Sequence, residues 1–535
     1  MNRPKFYVYL PIIFAVVLVL GIFIGSTFLS GGQRTVASGG GKMSKLEDVL
    51  QYINQEYVDT INTDDLVEKS IISLLENLDP HSSYISAEEL QANNEPLQGN
   101  FEGIGVEFNI VADTVRVVAA IPGGPAEGVG VQAGDKIVLV DGKNIAGIKI
   151  ANKGVMEKLK GKGGTKVKIS VKRNGKKNLL DFTITRGTIP IYSIDASYML
   201  AASVGYIKIS RFAATTYDEY MAAFEKLQQQ GMQKLVVDLR GNGGGFLNTA
   251  VDIADEFLPD GKSIVYTEGK ARPRKDFFAT KRGSFENGNL FILIDDGSAS
   301  ASEILAGAVQ DNDRGTLIGR RSFGKGLVQE QSDFTDGSAI RLTIARYYTP
   351  TGRCIQKPYT HGTDEYYDEE FTRYKNGELE NADSIKVSDS LKYKTPGGKV
   401  VYGGGGIIPD AFVPIDTTGR TLYLSEIIYG GLINDFAFNY SDKERVKLKA
   451  YKTFETFNKS FQITPQLLNE FVTYAEKSGV KRNDKEIAQS ATLIKTQLKA
   501  LISRNIWGIE TYYPIIQERD LVIKKALELA QGKKK

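Results

Sequence analysis

The chain is poor in the residues that most often build metal sites and covalent frameworks. Of its 535 residues one is cysteine, Cys354, and two are histidine, His81 and His361. A single cysteine excludes an internal disulfide framework and any multi-cysteine metal site, and it leaves the redox compartment unmarked. Two histidines are too few for a zinc site of the usual kind. No metal and no organic cofactor is therefore expected. Neither sign of charge prevails: 67 Lys and Arg stand against 64 Asp and Glu, a formal net charge of +3, so nothing marks nucleic acid as a partner. Histidine scarcity also bears on catalysis, because it directs the search for the proton acceptor of a serine nucleophile towards other side chains. What remains is ordinary for folded protein, with 41% hydrophobic and 24% charged residues. The length is too great for one hydrophobic core, and about three or four domains are expected.

Charge is also absent locally. Arg3 and Lys5 precede residues 6–33, a run of 28 without a single charged side chain. Its core, VYLPIIFAVVLVLGIFIGSTFL, is long enough to cross roughly 30 Å of hydrocarbon as a helix. Positive charge ahead of it predicts a cytoplasmic amino terminus, with the remainder of the chain outside. Residues 1–30 are thus expected to be a transmembrane anchor, with a cleaved signal segment as the competing reading. Val36, Ala37 and Ser38 make only a weak cleavage site, and no cysteine stands near for lipid attachment. The expected location is the cell envelope, on the extracytoplasmic (periplasmic) side.

Beyond a glycine-rich linker at 31–42 the hydrophobic period changes three times. Residues 43–98 place Leu46, Val49, Leu50, Ile53, Leu66, Ile71, Leu74, Leu75 and Leu78 at helical spacing, up to Asp79 and Pro80. His81 follows, with no carboxylate or nucleophile evident beside it, and reads as a turn or packing histidine. Residues 99–186 hold short β-rich runs between glycine turns and one helix near 151–159, a small barrel or sandwich of module size. From Gly205 apolar strands alternate with helices, which argues for a mainly parallel sheet covered on both faces. That core closes near 416, and residues 358–400 form an insertion rich in Tyr, Asp and Glu, expected to be a surface excursion. Residues 417–535 are helical by pattern, end in GKKK, and with the amino-terminal helices are candidate contacts for a homo-oligomer. The fold class expected is a multidomain α/β chain.

Four motifs carry possible chemistry. In LFILIDDGSASASEILAGAVQ a buried strand runs into a helix, and Ser298, Ser300 and Ser302 lie at the junction. A helix amino terminus offers free N–H groups and partial positive charge, suited to a nucleophile and its oxyanion. Ser300 and Glu303 also make a capping-box pattern, and on this segment alone a cap is the simpler reading. Lys325 lies between Gly324 and Gly326, followed by Gln329 four residues on. A lysine base must be neutral, its pKa brought from about 10.4 toward 7 or 8 by desolvation. A neutral amide can hold the amine without restoring its charge; alone, Lys325 reads as a loop lysine. The loop RGNGGG, 240–245, follows the strand KLVVDL and lacks the lysine–serine pair of a phosphate-binding loop, so it reads as an oxyanion loop or as a tight turn. Gly103, Ile104, Gly105 and Val106 open the β-rich module, where successive N–H groups beside a strand edge suit the carboxylate of an added peptide.

Together these segments resemble the carboxyl-terminal processing proteases, also called tail-specific proteases, over most of residues 43–416. The lead-in LDPHSSY, the PDZ-like GIGV and GGPAEGVGVQAGDKIVLVDG, the loop DLRGNGGG and the blocks GSASASEILAGA and FGKGLVQ occur in the family's order. One departure is GGPAEG, where related sequences often carry a serine before the proline. The resemblance implies a crotonase-like α/β protease core at 187–416 with a PDZ-like domain at 99–186. It implies Ser300 as nucleophile, Lys325 as base and Gln329 as the orienting residue. The oxyanion hole would pair the Ala301 N–H with that of Gly243 or Gly244, and the tail-binding loop would be Gly103, Ile104, Gly105 and Val106. Substrates would be proteins or peptides with free carboxyl-terminal tails. The alternative is a non-catalytic PDZ tail-binding scaffold or chaperone on a protease-like core.

Overall fold

The computed structural model describes residues 15–20, 44–111, 113–360 and 362–532, which fall into two units divided between Asn77 and Leu78. In the first unit, residues 15–20 are helical, and two helices follow at Ser44–Glu56 and Thr63–Glu76. Asn62 begins the latter, its side chain accepting from the N–H groups of Asp64 and Asp65, whose carboxylates suit the positive end of the helix. Among the described residues no helix is long and apolar enough to cross a membrane. Most of the expected anchor, and the linker at 31–42, lie outside the described residues, as do His361 and the terminal lysines 533–535.

The second unit contains the β-rich module. Strands Val106–Val111, Thr114–Ala120, Lys136–Val140, Lys166–Lys172 and Leu180–Thr185 form an antiparallel sheet in the order 106–111, 114–120, 136–140, 166–172, 180–185. Alternation explains it: Val167, Ile169 and Val171 point into the module core while Lys166, Lys168 and Lys172 face out. Val155 and Leu159 of the helix Asn152–Leu159 close that core. Asn100–Gly103 pairs with Gly187–Pro190, so the chain enters and leaves the module through one two-stranded ribbon.

The larger core holds a six-stranded sheet ordered 194–201, 204–209, 234–238, 289–294, 316–319, 411–412, parallel after its first pair. Helices Thr216–Gln229, Leu247–Asp255 and Ala301–Asp311 lie between successive parallel strands. They pack on one face, against Ile207, Ile209, Leu235, Val237, Ile292, Ile294 and Leu317. The alternate residues Tyr206, Val236, Phe291, Leu293 and Ile318 point the other way. That second face is covered by Val522, Ile523, Ala526 and Ala530 of the last helix, Leu521–Ala530. A doubly covered sheet follows from apolar strands, but its second cover comes from the far end of the chain.

A second, antiparallel sheet brings Leu327–Asp333 against Ala339–Tyr348, which also pairs with Ser83–Ile85 and Ser263–Gly269. The helices between Leu422 and Trp507 have their own core, including Ile427, Phe457, Phe471, Ile494 and Leu498. This helical region meets the β-rich module, where Asn174 Nδ2 donates to Asp442 at 2.8 Å and Arg504 pairs with Glu107. The insertion at 358–400 is not a mere surface excursion. It forms the helix Thr363–Lys375, whose Tyr366 and Arg373 are buried. Arg373 donates to the carbonyls of Ser322 (2.8 Å) and Phe323 (3.1 Å), bracing the loop that leads to Lys325.

Candidate active site

The three serines at the strand-to-helix turn have different surroundings. Ser298 is fully buried and its hydroxyl donates to Leu239 O at 2.9 Å. Ser302 is also fully buried and donates to Asn242 O at 2.8 Å. Ser300 is partly exposed and lines a cavity of about 590 Å³. It stands at φ 55°, ψ −114°, a conformation that costs a non-glycine residue on the order of 1–3 kcal/mol. The helix Ala301–Asp311 begins immediately after it, and the Ala301 N–H has no hydrogen-bond partner among the described residues.

The glycine loop is held against this turn by Asn242. Its side-chain amide donates to Ile209 O at 3.0 Å, and its carbonyl accepts from the Ala299 N–H at 3.0 Å as well as from Ser302. Gly244, at φ +103°, must be glycine: a Cβ there would lie 2.8 Å from Ser300 Cβ and 3.0 Å from Ala301 N. Its N–H is already given to Asn242 Oδ1 at 2.9 Å. The Gly243 N–H has no partner among the described residues, and a Cβ at Gly243 would meet nothing within 4 Å. Of the two glycines expected from the sequence, Gly243 is therefore the one with a donor to spare.

Lys325 lines the same cavity, as does Gln329. Lys325 Nζ donates to Gln329 Oε1 at 2.9 Å, and Gln329 Nε2 donates to the carbonyl of His81. That second bond orients the amide so that its oxygen, not its nitrogen, faces the lysine. Burial holds the Lys325 amine below the ordinary lysine range, and the Arg341 charge adds to this. Asp79 and Glu303 oppose the shift.

Glu303 joins the serine turn to the lysine loop. It is fully buried, and its carboxylate accepts from Ser300 N (2.9 Å), Lys325 N (2.9 Å), Gly324 N (2.8 Å) and Ser322 Oγ (2.5 Å). The bond from Ser300 N is the returning half of a capping box. The other three are tertiary contacts that no local pattern announces. Burial pushes this carboxyl up to about 7, against the pull of its four donors. The Tyr347 hydroxyl makes a second link, 2.7 Å from Lys325 O and 3.2 Å from Ser300 O.

His81 is more than a packing residue. The Asp79 carboxylate does neighbour it, accepting its backbone N–H at 2.8 Å, and its own carbonyl holds Gln329. Its ring Nε2 lies 2.8 Å from the Tyr366 hydroxyl, and burial holds its pKa down at about 4, so the ring is neutral near pH 7. The motif LDPHSSY was visible in the sequence; its use of a main-chain carbonyl was not.

In the β-rich module Gly103 ends a strand, Ile104 is buried in the module core, Gly105 has φ +76°, and Val106 begins the strand Val106–Val111 at the sheet edge. The carbonyls of Ile104 and Gly105 accept from Ala126 N (2.8 Å) and Ile121 N (2.9 Å). The N–H groups of Ile104 and Gly105 have no partner among the described residues. Two adjacent free donors beside an open strand edge suit a carboxylate.

Comparison with known families matches residues 203–364 to the model for Peptidase family S41 and residues 103–184 to that for the PDZ domain. Residues 423–508 match a family of unknown function, DUF8443. The carboxy-terminal processing protease CtpA of Bacillus subtilis (strain 168) is 34% identical over 359 residues, covering 67% of this chain and 76% of that protein. The carboxy-terminal-processing protease of Bartonella bacilliformis is 34% identical over 347 residues, covering 63% of this chain and 79% of that one. Among solved structures, the photosystem II D1 C-terminal processing protease is 27% identical, with a TM-score of 0.36, and covers 70% of this chain and 87% of that one.

Proposed function

As a member of the carboxy-terminal processing proteases of peptidase family S41, this chain is a serine-type peptidase, and we propose that it works through a Ser300–Lys325–Gln329 centre fed by its PDZ domain. The observation that carries this reading is the 2.9 Å bond from Lys325 Nζ to Gln329 Oε1 on the wall of the cavity that Ser300 also lines. Depressed basicity keeps a share of the amine neutral, and neutral Lys325 takes the Ser300 hydroxyl proton as Oγ attacks the scissile carbonyl. Gln329 supplies only an acceptor, so it orients the amine without recharging it. The developing oxyanion is met by the N–H groups of Ala301 and Gly243, which have no other partner among the described residues. The protonated lysine then passes its proton to the leaving amine, and water, deprotonated by the same lysine, releases the acyl group from Ser300.

In this reading a substrate tail adds as a strand along Val106–Val111, its carboxylate taken by the N–H groups around Ile104 and Gly105. The charge-free run 6–33 supports placement of the enzyme on the outer face of a membrane, held by its amino terminus. The test is cleavage of an unstructured protein by wild type and by Ser300→Ala. The variant is expected to fold, to bind the substrate tail, and to cleave nothing. Undiminished cleavage by Ser300→Ala would overturn the assignment.

A further inference from the structure

One charged side chain in the Ser300 cavity has no assigned task. Arg341 lies on the strand Ala339–Tyr348, between Gln331 on one neighbouring strand and Ser83 on the other. Its guanidinium donates to two neutral amides, Gln331 Oε1 at 3.1 Å and Asn94 Oδ1 at 2.8 Å. Among the described residues it has no carboxylate partner, whereas Arg320, Arg321, Arg353 and Arg373 all do. The acid among the residues that line the cavity, Glu330, is held by Arg272 at 2.8 Å. Burial without a counter-charge pushes the Arg341 guanidinium below its ordinary range. A half-buried cation satisfied only by amides pays for desolvation without an ion pair, unless a ligand supplies one. Its place is fixed by the sheet register: Thr343, two residues along the same strand, lies opposite Gln329. Two residues of strand span about 7 Å, the length of two residues of an extended substrate.

We propose that Arg341 is a specificity-determining residue of the cleft, taking a carboxylate carried by the bound peptide a few residues from the bond cut at Ser300. That carboxylate is either an acidic side chain or the free α-carboxylate of a peptide cut near its end. The proposal rests on the serine–lysine reading above. It also couples binding to chemistry, because the Arg341 charge is one reason Lys325 loses its proton readily. The other charges acting on Lys325 are Asp79 and Glu303, which favour its protonated form, while His81 beside it is neutral. Removing the Arg341 charge therefore makes Lys325 more basic, and the acidic limb of the pH–rate profile moves to higher pH.

The experiment uses the full chain and short peptides that differ by a single Glu or Gln walked across the cleavage site, each with a free or an amidated carboxyl terminus. Wild type is expected to cut one Glu peptide about tenfold faster in kcat/KM than its Gln counterpart, or the free form faster than the amidated. The first result identifies an acidic side chain as the source; the second identifies an α-carboxylate only to the extent that Arg341→Gln removes it, because the PDZ domain also takes a free carboxyl terminus. Arg341→Lys should keep much of the preference. Arg341→Gln should lose it, and on uncharged peptides its acidic limb should lie at higher pH. Equal rates on all peptides by wild type, or a wild-type preference that Arg341→Gln leaves undiminished, would overturn the proposal. If Arg341→Gln does not fold, ionic strength decides: the wild-type preference must shrink at high salt, and one that does not shrink refutes an ion pair. A wild type that cuts neither peptide of any pair overturns the serine–lysine reading together with this one, whereas equal cutting overturns this one alone.

Discussion

Replacing Glu303 with Gln separates the two things this buried carboxyl does. Four donors converge on it: two on Oε1, from Ser322 and Gly324, and two on Oε2, from Ser300 and Lys325. An amide has one acceptor oxygen. If that oxygen keeps Ser322 and Gly324, the amide nitrogen faces the N–H groups of Ser300 and Lys325, and two buried donors lose their partner at about 1–3 kcal/mol each. Against this, the carboxylate itself is costly. Its pKa is pushed from 4.5 up to about 7 by burial, which corresponds to about 3 kcal/mol between its neutral and ionised forms. The sign follows from linkage. A carboxyl with a raised folded-state pKa contributes stability that is fully present below pH 4.5 and is lost as pH rises through about 7. Glutamine does not titrate. Wild type should therefore lose about 3 kcal/mol relative to Glu303→Gln between pH 4.5 and 8, read by urea unfolding at both pH values. Activity at pH 8 should nevertheless fall at least about tenfold in kcat in the variant, because the serine turn and the lysine loop lose their common anchor. A stability difference that does not change with pH, or a variant whose kcat matches wild type, would refute the reasoning.

Gly244→Ala should abolish cleavage, since its Cβ would press on Ser300 Cβ at 2.8 Å in a backbone conformation alanine avoids; Gly243→Ala, with nothing within 4 Å, should retain most activity in the same assay. His81→Ala should lower kcat by less than about tenfold, because Gln329 is held by the main-chain carbonyl at 81 and not by the ring; complete inactivation would assign the imidazole a role in proton transfer. Ile523→Ala, at a side chain only 2% exposed beneath the central sheet, should cost about 2–5 kcal/mol in unfolding and lower the Tm.

Much of the site was legible because its parts are local. The run LFILIDD followed by SEILAGAVQ states a strand and a helix, and the serines between them must lie at the turn. Lys325 and Gln329 are four residues apart, and so share a face in either a strand or a helix. The parts that were not legible join residues distant in sequence. Glu303 was readable as a cap for Ser300, but its grip on Gly324 and Lys325 spans more than twenty residues. Gln329 meets a carbonyl 248 positions away, and Tyr366, from a segment without periodicity, packs behind it against His81. A carbonyl donates no side-chain identity to a motif, so nothing in LDPHSSY marks His81 as the anchor of Gln329.

The sequence by itself determined the chemistry available: one cysteine and two histidines turned the search for a proton acceptor towards lysine, and hydrophobic period divided the chain into helical, β-rich, α/β and helical parts. Tertiary structure alone decided which serine faces the cavity, which glycine keeps a free N–H, and that Arg341 meets amides and no carboxylate among the described residues. It also decided that the last helix of the chain, and not a neighbouring crossover, covers the second face of the central sheet. The reason is physical. Hydrophobic patterning states that a face must be buried, but burial is non-directional and names no partner. Hydrogen bonds and strained backbone conformations do name partners, and these exist only once distant segments have met.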